Sequence, residues 1–361
     1  MRIGIVGLPN AGKSSLFNAL TRAGAETAAY PFTTVDPNVA IVPVPDERLA
    51  RVADAVGSTA VVPETIAFHD IAGLVRGAHA GEGLGNRFLA NIRETDAIVH
   101  VVRAHEDPQV VHPEGRVDPA SDLDAIETEL LYADLEQAER RLERVAKQAK
   151  SRDRALVAEE AWLRQVVDGL RAGTPVRVAP PPPADAPGAL AALHPLTATP
   201  VLIVANVAED DQETVPPAVA EHAGAIGAVA VAISARIEAE LSDLDAEEAA
   251  AMREDLGAPE SGLGRVIRGA FELLDLISFF TAGAGKEARA HAIARGYTAW
   301  DAAGKVHSDI QRGFIRAEVV PWDALVDAGG YAGARDRGTL RLEGRDYVMA
   351  DGDVITVKFT P

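Results

Sequence analysis

The sequence predicts a doubly wound α/β domain that carries a helical insertion and is followed by a separate, smaller β module. Three observations point there. Short apolar runs recur along the chain, and their hydrophobicity is nearly continuous rather than alternating, as expected of strands covered on both faces. Helical patterns fall between several of these runs. At the first junction of strand and helix stands "GLPNAGKS" (7–14), a glycine-rich turn of the kind that cradles phosphate.

The expected strands are "RIGIVG" (2–7), "VAIVPV" (39–44), "TIAFHD" (65–70), "AIVHVV" (97–102), "VLIVAN" (201–206) and "AVAVAIS" (228–234). The first helix, "SSLFNALTRAG" (14–24), sets Leu16, Phe17 and Leu20 on one face and can end at Gly24. Between the fourth and fifth strands, Ile126, Leu130, Leu131, Leu135, Leu142 and Val145 stand at helical spacing, and a second helical pattern runs from about 154 to 170. The turn "KSRDR" joins them, so 126–190 reads as a helical hairpin inserted into the sheet domain, with the stiff "APPPPADAPG" (179–188) leading back. The expected organisation is therefore a nucleotide-binding domain over 1–257 interrupted by that arm, a connecting helix over 258–277 and a β module over 278–361.

At 361 residues the chain is long enough for two or three domains, and no run of about 18 apolar residues marks a membrane span. The opening "MRIGIVGLPN" is a strand entering a loop rather than a leader, so the cytoplasm is the expected compartment and no membrane partner is expected. Zero cysteines exclude disulfides and thiolate metal sites. A net charge of -19 argues against indiscriminate nucleic-acid binding, and DNA is not an expected partner. Basic residues do cluster in "RRLERVAKQAKSRDR" (140–154), readable as a solvated helix face or as a local RNA-facing patch.

The phosphate-loop pattern assigns roles by chemistry. Backbone N–H groups around Asn10, Ala11 and Gly12, with Ser14 and Ser15 at the helix N-terminus, would cradle phosphates; Lys13 would meet the β and γ oxygens, and Ser14 would hold Mg²⁺. "DIAGL" (70–74) places Asp70 to hold the metal's water shell and Gly73 to offer an N–H to the γ-phosphate. In "YPFTTVDPN" (30–38), Thr34 is the candidate second metal ligand, with Thr33 as the alternative and a plain threonine-rich turn as the bland reading. Leu74 follows Gly73 and can neither accept a proton nor orient water, which predicts slow turnover.

These pieces, in this order, resemble the Obg-related GTPases and, within them, the branch of YchF-type Obg-like ATPases. The resemblance rests on "GLPNAGKSSLFNALT", "PFTTVDPN", "DIAGLVRGA", "GEGLGNRFLANIRETDAIVHVVR", "NVAE" (206–209) and "GKVHSDIQRGFIRAE", and it spans essentially the whole chain. It implies a P-loop nucleotide-binding core, a helical arm, a β-grasp-like TGS module, and nucleotide-dependent contact with the ribosome or its RNA. It also makes His112 a candidate catalytic helper in a loop that would fold over the nucleotide, against the plainer reading of a solvent-facing loop histidine, and Asn10 becomes a candidate to help bind K⁺ beside the phosphates.

The base reader departs from the guanine-specific pattern. Where Asn-Lys-x-Asp would stand, the chain has Asn206-Val207-Ala208-Glu209: no lysine stem to lie along a base, and a carboxylate displaced by a methylene. Adenine offers no donor pair for that carboxylate, so the chemistry says only that this is not a standard guanine site. Asn206 can serve N7 and an exocyclic amine, and Ser234, in "ISA" (233–235), adds a base-side loop. The resemblance turns this into an expectation of ATP with GTP tolerated, in a hydrolase acting as a nucleotide-gated switch. The alternatives are a GTP-specific enzyme or a nucleotide-dependent RNA-binding module with negligible turnover.

Overall fold

The computed structural model describes residues 1–27, 38–71, 84–113, 115–209, 213–256 and 260–360. The chain divides into two compact units, 1–42 with 67–273 and 43–66 with 274–361. Among the described residues no helix is long and apolar enough to cross a membrane.

The first unit is built on a six-stranded sheet in the order β2-β4-β1-β5-β6-β7, formed by β1 (Arg2–Val6), β2 (Val39–Pro43), β4 (Thr65–Asp70), β5 (Ala97–Arg103), β6 (Val201–Asn206) and β7 (Val229–Ile233). From β4 to β7 every neighbouring pair is parallel. Strands β5 and β6 are buried along their whole lengths. This is the structural counterpart of their near-continuous apolar sequences. Val201, Ile203 and Ala205 face a core shared with α3 (Leu84–Arg93), the start of α4 (Pro119–Gln148) and α7 (Pro217–Ile226). On the opposite face Leu202 approaches Gly269 of α10 (Gly262–Leu273), whose Val266, Ile267 and Ala270 are buried. The amphipathic helix expected to connect two domains is thus a covering layer of this sheet, because its apolar stripe needs a partner surface and β6 with β7 supplies one.

The helical insertion starts earlier than its periodicity indicated. Asp118 caps α4 by accepting from Ser121 N, and Pro119 occupies the first turn. Leu123, Ile126 and Leu130 belong to the sheet core, whereas Ala138 and Val145 pack with Trp162, Leu163, Val166, Val167 and Leu170 of α5 (Arg154–Arg171) in a core of their own. The proline-rich return is tied down as Trp162 Nε1 donates to the Pro180 carbonyl at 3.0 Å. Asp134, 1% exposed, accepts from Leu196 N, Thr197 N and the Thr197 hydroxyl, so the chain re-enters the sheet domain at a set point.

The second unit holds a mixed sheet in the order β11-β10-β12-β8-β9-β3, with β8 (Leu276–Thr281), β9 (Glu287–Ala294), β10 (Phe314–Pro321), β11 (Arg341–Glu343) and β12 (Asp353–Phe359). One of its two edge strands is β3 (Ala60–Val62), which pairs in parallel with β9 across more than two hundred residues of sequence. Helix α2 (Glu47–Val56), capped by Asp46 and ended by Gly57 at φ 68°, buries Leu49, Val52 and Ala53 against Phe280, Ala290 and Val354. The opposite face carries Ala299, Ala302 and Ala303 of α11 (Ala299–Val306) against Phe279 and Ile355. The expected boundaries are therefore corrected: 43–66 leaves the nucleotide domain for the C-terminal unit, since a three-residue edge strand is completed by a partner that local sequence cannot reveal.

His100 sits in the middle of β5, 5% exposed, where burial and then the nearby positive charges of His222, Lys13 and Arg177 push its pKa from 6.5 down to about 3. The ring stays neutral in the fold, while the unfolded chain takes up a proton as pH falls below 6.5. Stability is thus present above that value and lost progressively as pH falls toward 3, amounting to about 2 kcal/mol at pH 5. Urea unfolding at pH 7.5 and pH 5 should show this loss in the parent protein and a clearly smaller one in His100→Gln; equal losses in the two would refute the assignment.

Candidate nucleotide-binding site

The loop between β1 and α1 (Lys13–Thr27) is bent by three residues in the left-handed region, Gly7 (φ 154°), Asn10 (φ 64°) and Gly12 (φ 104°). Two of these also have no room for a side chain. A Cβ on Gly7 would lie 2.3 Å from the Val101 carbonyl oxygen of β5, and one on Gly12 would lie 2.4 Å from Asn206 Nδ2. Lys13, the first residue of α1, curls back so that Nζ donates to the carbonyls of Gly7 and Leu8, both at 2.8 Å. Burial pulls its pKa below the ordinary lysine range, and the carboxylate of Asp70 opposes the shift.

Asn206 ends β6 and is 7% exposed. Its Nδ2 donates to the Ala11 carbonyl at 3.1 Å and its Oδ1 accepts from Ala235 N at 3.0 Å. Its backbone carbonyl accepts from Ala104 N at 2.9 Å and lies 2.9 Å from His105 Nδ1. The sequence expectation sent this amide to a base; the structure engages both of its ends with backbone, joining the phosphate loop to the turn before α8 (Ala235–Leu241). Ser234, 2% exposed, caps that helix by accepting from Ile237 N.

A cavity of about 900 Å³ brings these parts together. Asn10, Gly12, Lys13, Ser14 and Ser15 line it, as do Asn206, Val207, Ala208, Glu209 and Ser234. Phosphate-loop and reader residues thus share one pocket of a size suited to a small ligand. Val207 is only 5% exposed and joins the sheet core, so a lysine there would have to bury its charge or displace apolar packing. Glu209 is exposed and forms an ion pair with Arg236 at 3.2 Å, and Arg236 Nε also donates to Glu240 at 3.1 Å.

Several expected residues are placed elsewhere. Asp70, at the end of β4, lines a smaller cavity of about 180 Å³ with Asn38 and His69 instead of the main one. The His112 ring is buried against α4, with Nε2 2.8 Å from Asp122 Oδ2, and does not line the pocket. Its position departs from the expectation of a helper folded over the nucleotide, because a buried carboxylate on α4 captures the ring. Thr33, Thr34, Gly73 and Leu74 lie outside the described residues.

Mg²⁺ can be tested against the donors in view. Ser14 is exposed and lines the pocket, and the Asp70 charge is felt at Lys13. Among the described residues no group of three or more His, Asp or Glu could form a metal cage. That donor set fits a hard cation held by one or two protein oxygens together with ligand phosphates and water.

The sequence reading missed the segment after β5. Arg103, His105, Glu106, Asp107, Pro108, Gln109 and Val110 line the pocket, and Asn10 Nδ2 donates to the Val111 carbonyl at 2.9 Å. Arg236 and Arg22, the latter paired with Asp243 at 2.5 Å, were missed as well. One signal was available: Arg103 is a permanent charge at the end of a strand that is apolar apart from His100.

Comparison with known proteins agrees with this geometry. Residues 2–132 match the family model described as "50S ribosome-binding GTPase", and residues 276–360 match YchF-GTPase_C, described as "Protein of unknown function (DUF933)". The chain is 46% identical over 362 residues to the ribosome-binding ATPase YchF of Bacillus subtilis, covering 99% of this chain and 98% of that protein. It is 48% identical to the protein of the same name from Haemophilus ducreyi, covering 99% of each. The solved structure of the Schizosaccharomyces pombe YchF GTPase superposes with a TM-score of 0.88 at 35% identity, over 99% of this chain and 97% of that one. With full-length relatives at this identity and the phosphate loop and reader strand joined in one pocket, the chain belongs to the YchF family.

Proposed function

We propose that this chain binds a nucleoside triphosphate in the pocket between Lys13 and Glu209, hydrolyses it slowly, and uses the nucleotide state to gate contact with the ribosome. The observation that carries this reading is the shared lining of one cavity by Lys13–Ser15 and by Asn206–Glu209. The names of the bacterial relatives, ribosome-binding ATPases, point to ATP and to the ribosome as partner, with cytoplasm as the place where both are met. GTP remains the second reading, because Glu209 keeps a carboxylate at the reader and the S. pombe relative is titled a GTPase.

In this reading the residues act by positioning and charge. The helix N-terminus and loop amides from Asn10 to Ser15 hold phosphate oxygens, and Lys13 exchanges its bonds to the neutral Gly7 and Leu8 carbonyls for stronger ones to anionic phosphate oxygens. Ser14 is the direct candidate for holding Mg²⁺, with Asp70 acting through water and Thr34 as the second ligand. The cation, when bound, supplies neutralisation of charge on the phosphates. Gly73 offers an N–H to the γ-phosphate. K⁺ beside Asn10 is a further component of the proposal, and turnover unchanged on replacing K⁺ by Na⁺ would remove it.

Phosphate release from ATP and GTP tests the first half. Lys13→Ala should lower turnover by about a hundredfold or more, while a variant as active as the parent would place hydrolysis elsewhere. Sedimentation with ribosomes in ATP, in ADP and without nucleotide tests the second, since equal binding in all three would exclude gating. For the base, Glu209 is the informative position, because Val207 is committed to the core. Glu209→Asp, competing ATP against GTP in calorimetry, should shift preference toward GTP by about threefold to tenfold; an unmoved ratio would show that the determinant lies elsewhere.

A further inference from the structure

Arg103 is the last residue of β5 and is 2% exposed, yet it borders the nucleotide pocket. Its guanidinium donates to three carbonyls of the segment that follows it: Nε to His105 at 3.0 Å, Nη2 to Asp107 at 3.1 Å and Nη1 to Val110 at 2.9 Å. Among the described residues no carboxylate forms an ion pair with it. A buried cation without an anionic partner is costly, and it is tolerated here because its donors meet carbonyl dipoles. Three of the five N–H groups of an arginine are thus spent on bending one short segment around a single planar fork.

That segment is also tied to both ends of the pocket. Its start is bound to the reader strand, through Ala104 N and His105 Nδ1 at the Asn206 carbonyl. Its end is bound to the phosphate loop, through Asn10 Nδ2 at the Val111 carbonyl. Between these ties Pro108 and Val110 line the pocket with apolar surface, and Asp107 lies near enough to Arg236 to act on its charge. Resting on the nucleotide reading above, we infer that Arg103 is a positioning residue, which shapes residues 104–111 into the wall against which the nucleoside part of the ligand is held. The phosphates are held by the loop at Asn10–Ser15, so the wall contributes to nucleoside recognition and leaves phosphate binding to that loop.

The test uses the full chain and three ligands, ATP, GTP and inorganic tripolyphosphate, titrated calorimetrically into the parent protein, Arg103→Lys and Arg103→Met. Lysine keeps the charge, but its compact ammonium cannot span three carbonyls in one plane. Both variants should bind ATP about tenfold more weakly, change tripolyphosphate affinity less than about twofold, and raise KM while retaining kcat. Amide hydrogen exchange should quicken at 104–111 and stay unchanged in β1, β5 and β6. Three results would overturn the assignment: an Arg103→Lys protein that binds ATP like the parent, tripolyphosphate affinity falling in step with ATP, or exchange quickening throughout the sheet in both variants. A parent protein that binds none of the three ligands would instead refute the nucleotide reading itself.

Discussion

The side chain of Asn206 is the contact on which the site's geometry depends. It stands at the end of a fully buried strand, where an amide left without partners would cost about 1–3 kcal/mol, so the groups that satisfy it are held to its position. One end takes the Ala11 carbonyl and the other the Ala235 N–H, which brings the phosphate loop after β1 and the turn after β7 to the edge of β6. The close approach leaves no room for a Cβ at residue 12, so the glycine there is a consequence of the asparagine as well as of the turn the loop makes at φ 104°. A residue expected to read a base therefore acts first as the joint between the phosphate end and the reader end of the pocket.

Buried guanidinium groups do similar work at two places in the same unit. Arg177 pairs with Glu127 and also donates to the carbonyls of Ile226 and Thr197, holding the return from the helical insertion against the sheet domain. Burial raises the Glu127 pKa while the Arg177 charge and hydrogen bond oppose the shift, so desolvation outweighs the attraction at this carboxyl group. Arg103 carries out the same clamping on three backbone carbonyls, with no carboxylate paired to it among the described residues. In each case a planar donor set gathers backbone that has no strand or helix partner, which is how an irregular segment keeps a defined shape beside a sheet.

Much of the fold was legible because it is written in local patterns. All six strands expected in the first unit are present there, most plainly β5 and β6, whose burial on both faces needs continuous apolar runs. The helical hairpin was legible from its spacing, although its first helix begins at Pro119 because the cap at Asp118 lies outside the apolar pattern. What could not be read locally was partnership: β3 completes a sheet whose other strands begin at Leu276, and α10 covers β6 and β7 instead of linking domains. In the site, Lys13, Ser14, Asn206 and Glu209 were named from spacing, whereas Arg103, Arg236 and the 104–111 wall depend on contacts that no motif encodes.

By itself, then, the sequence determined the six strands of the first sheet, the helical hairpin, the phosphate loop and the altered reader, because turn chemistry and hydrophobic period are properties of neighbouring residues. The tertiary structure decided where those groups spend their hydrogen bonds. Asn206 turns to backbone, Val207 to the core, Glu209 to Arg236 and His112 to Asp122, each because a buried or charged group takes the partner that packing brings within reach.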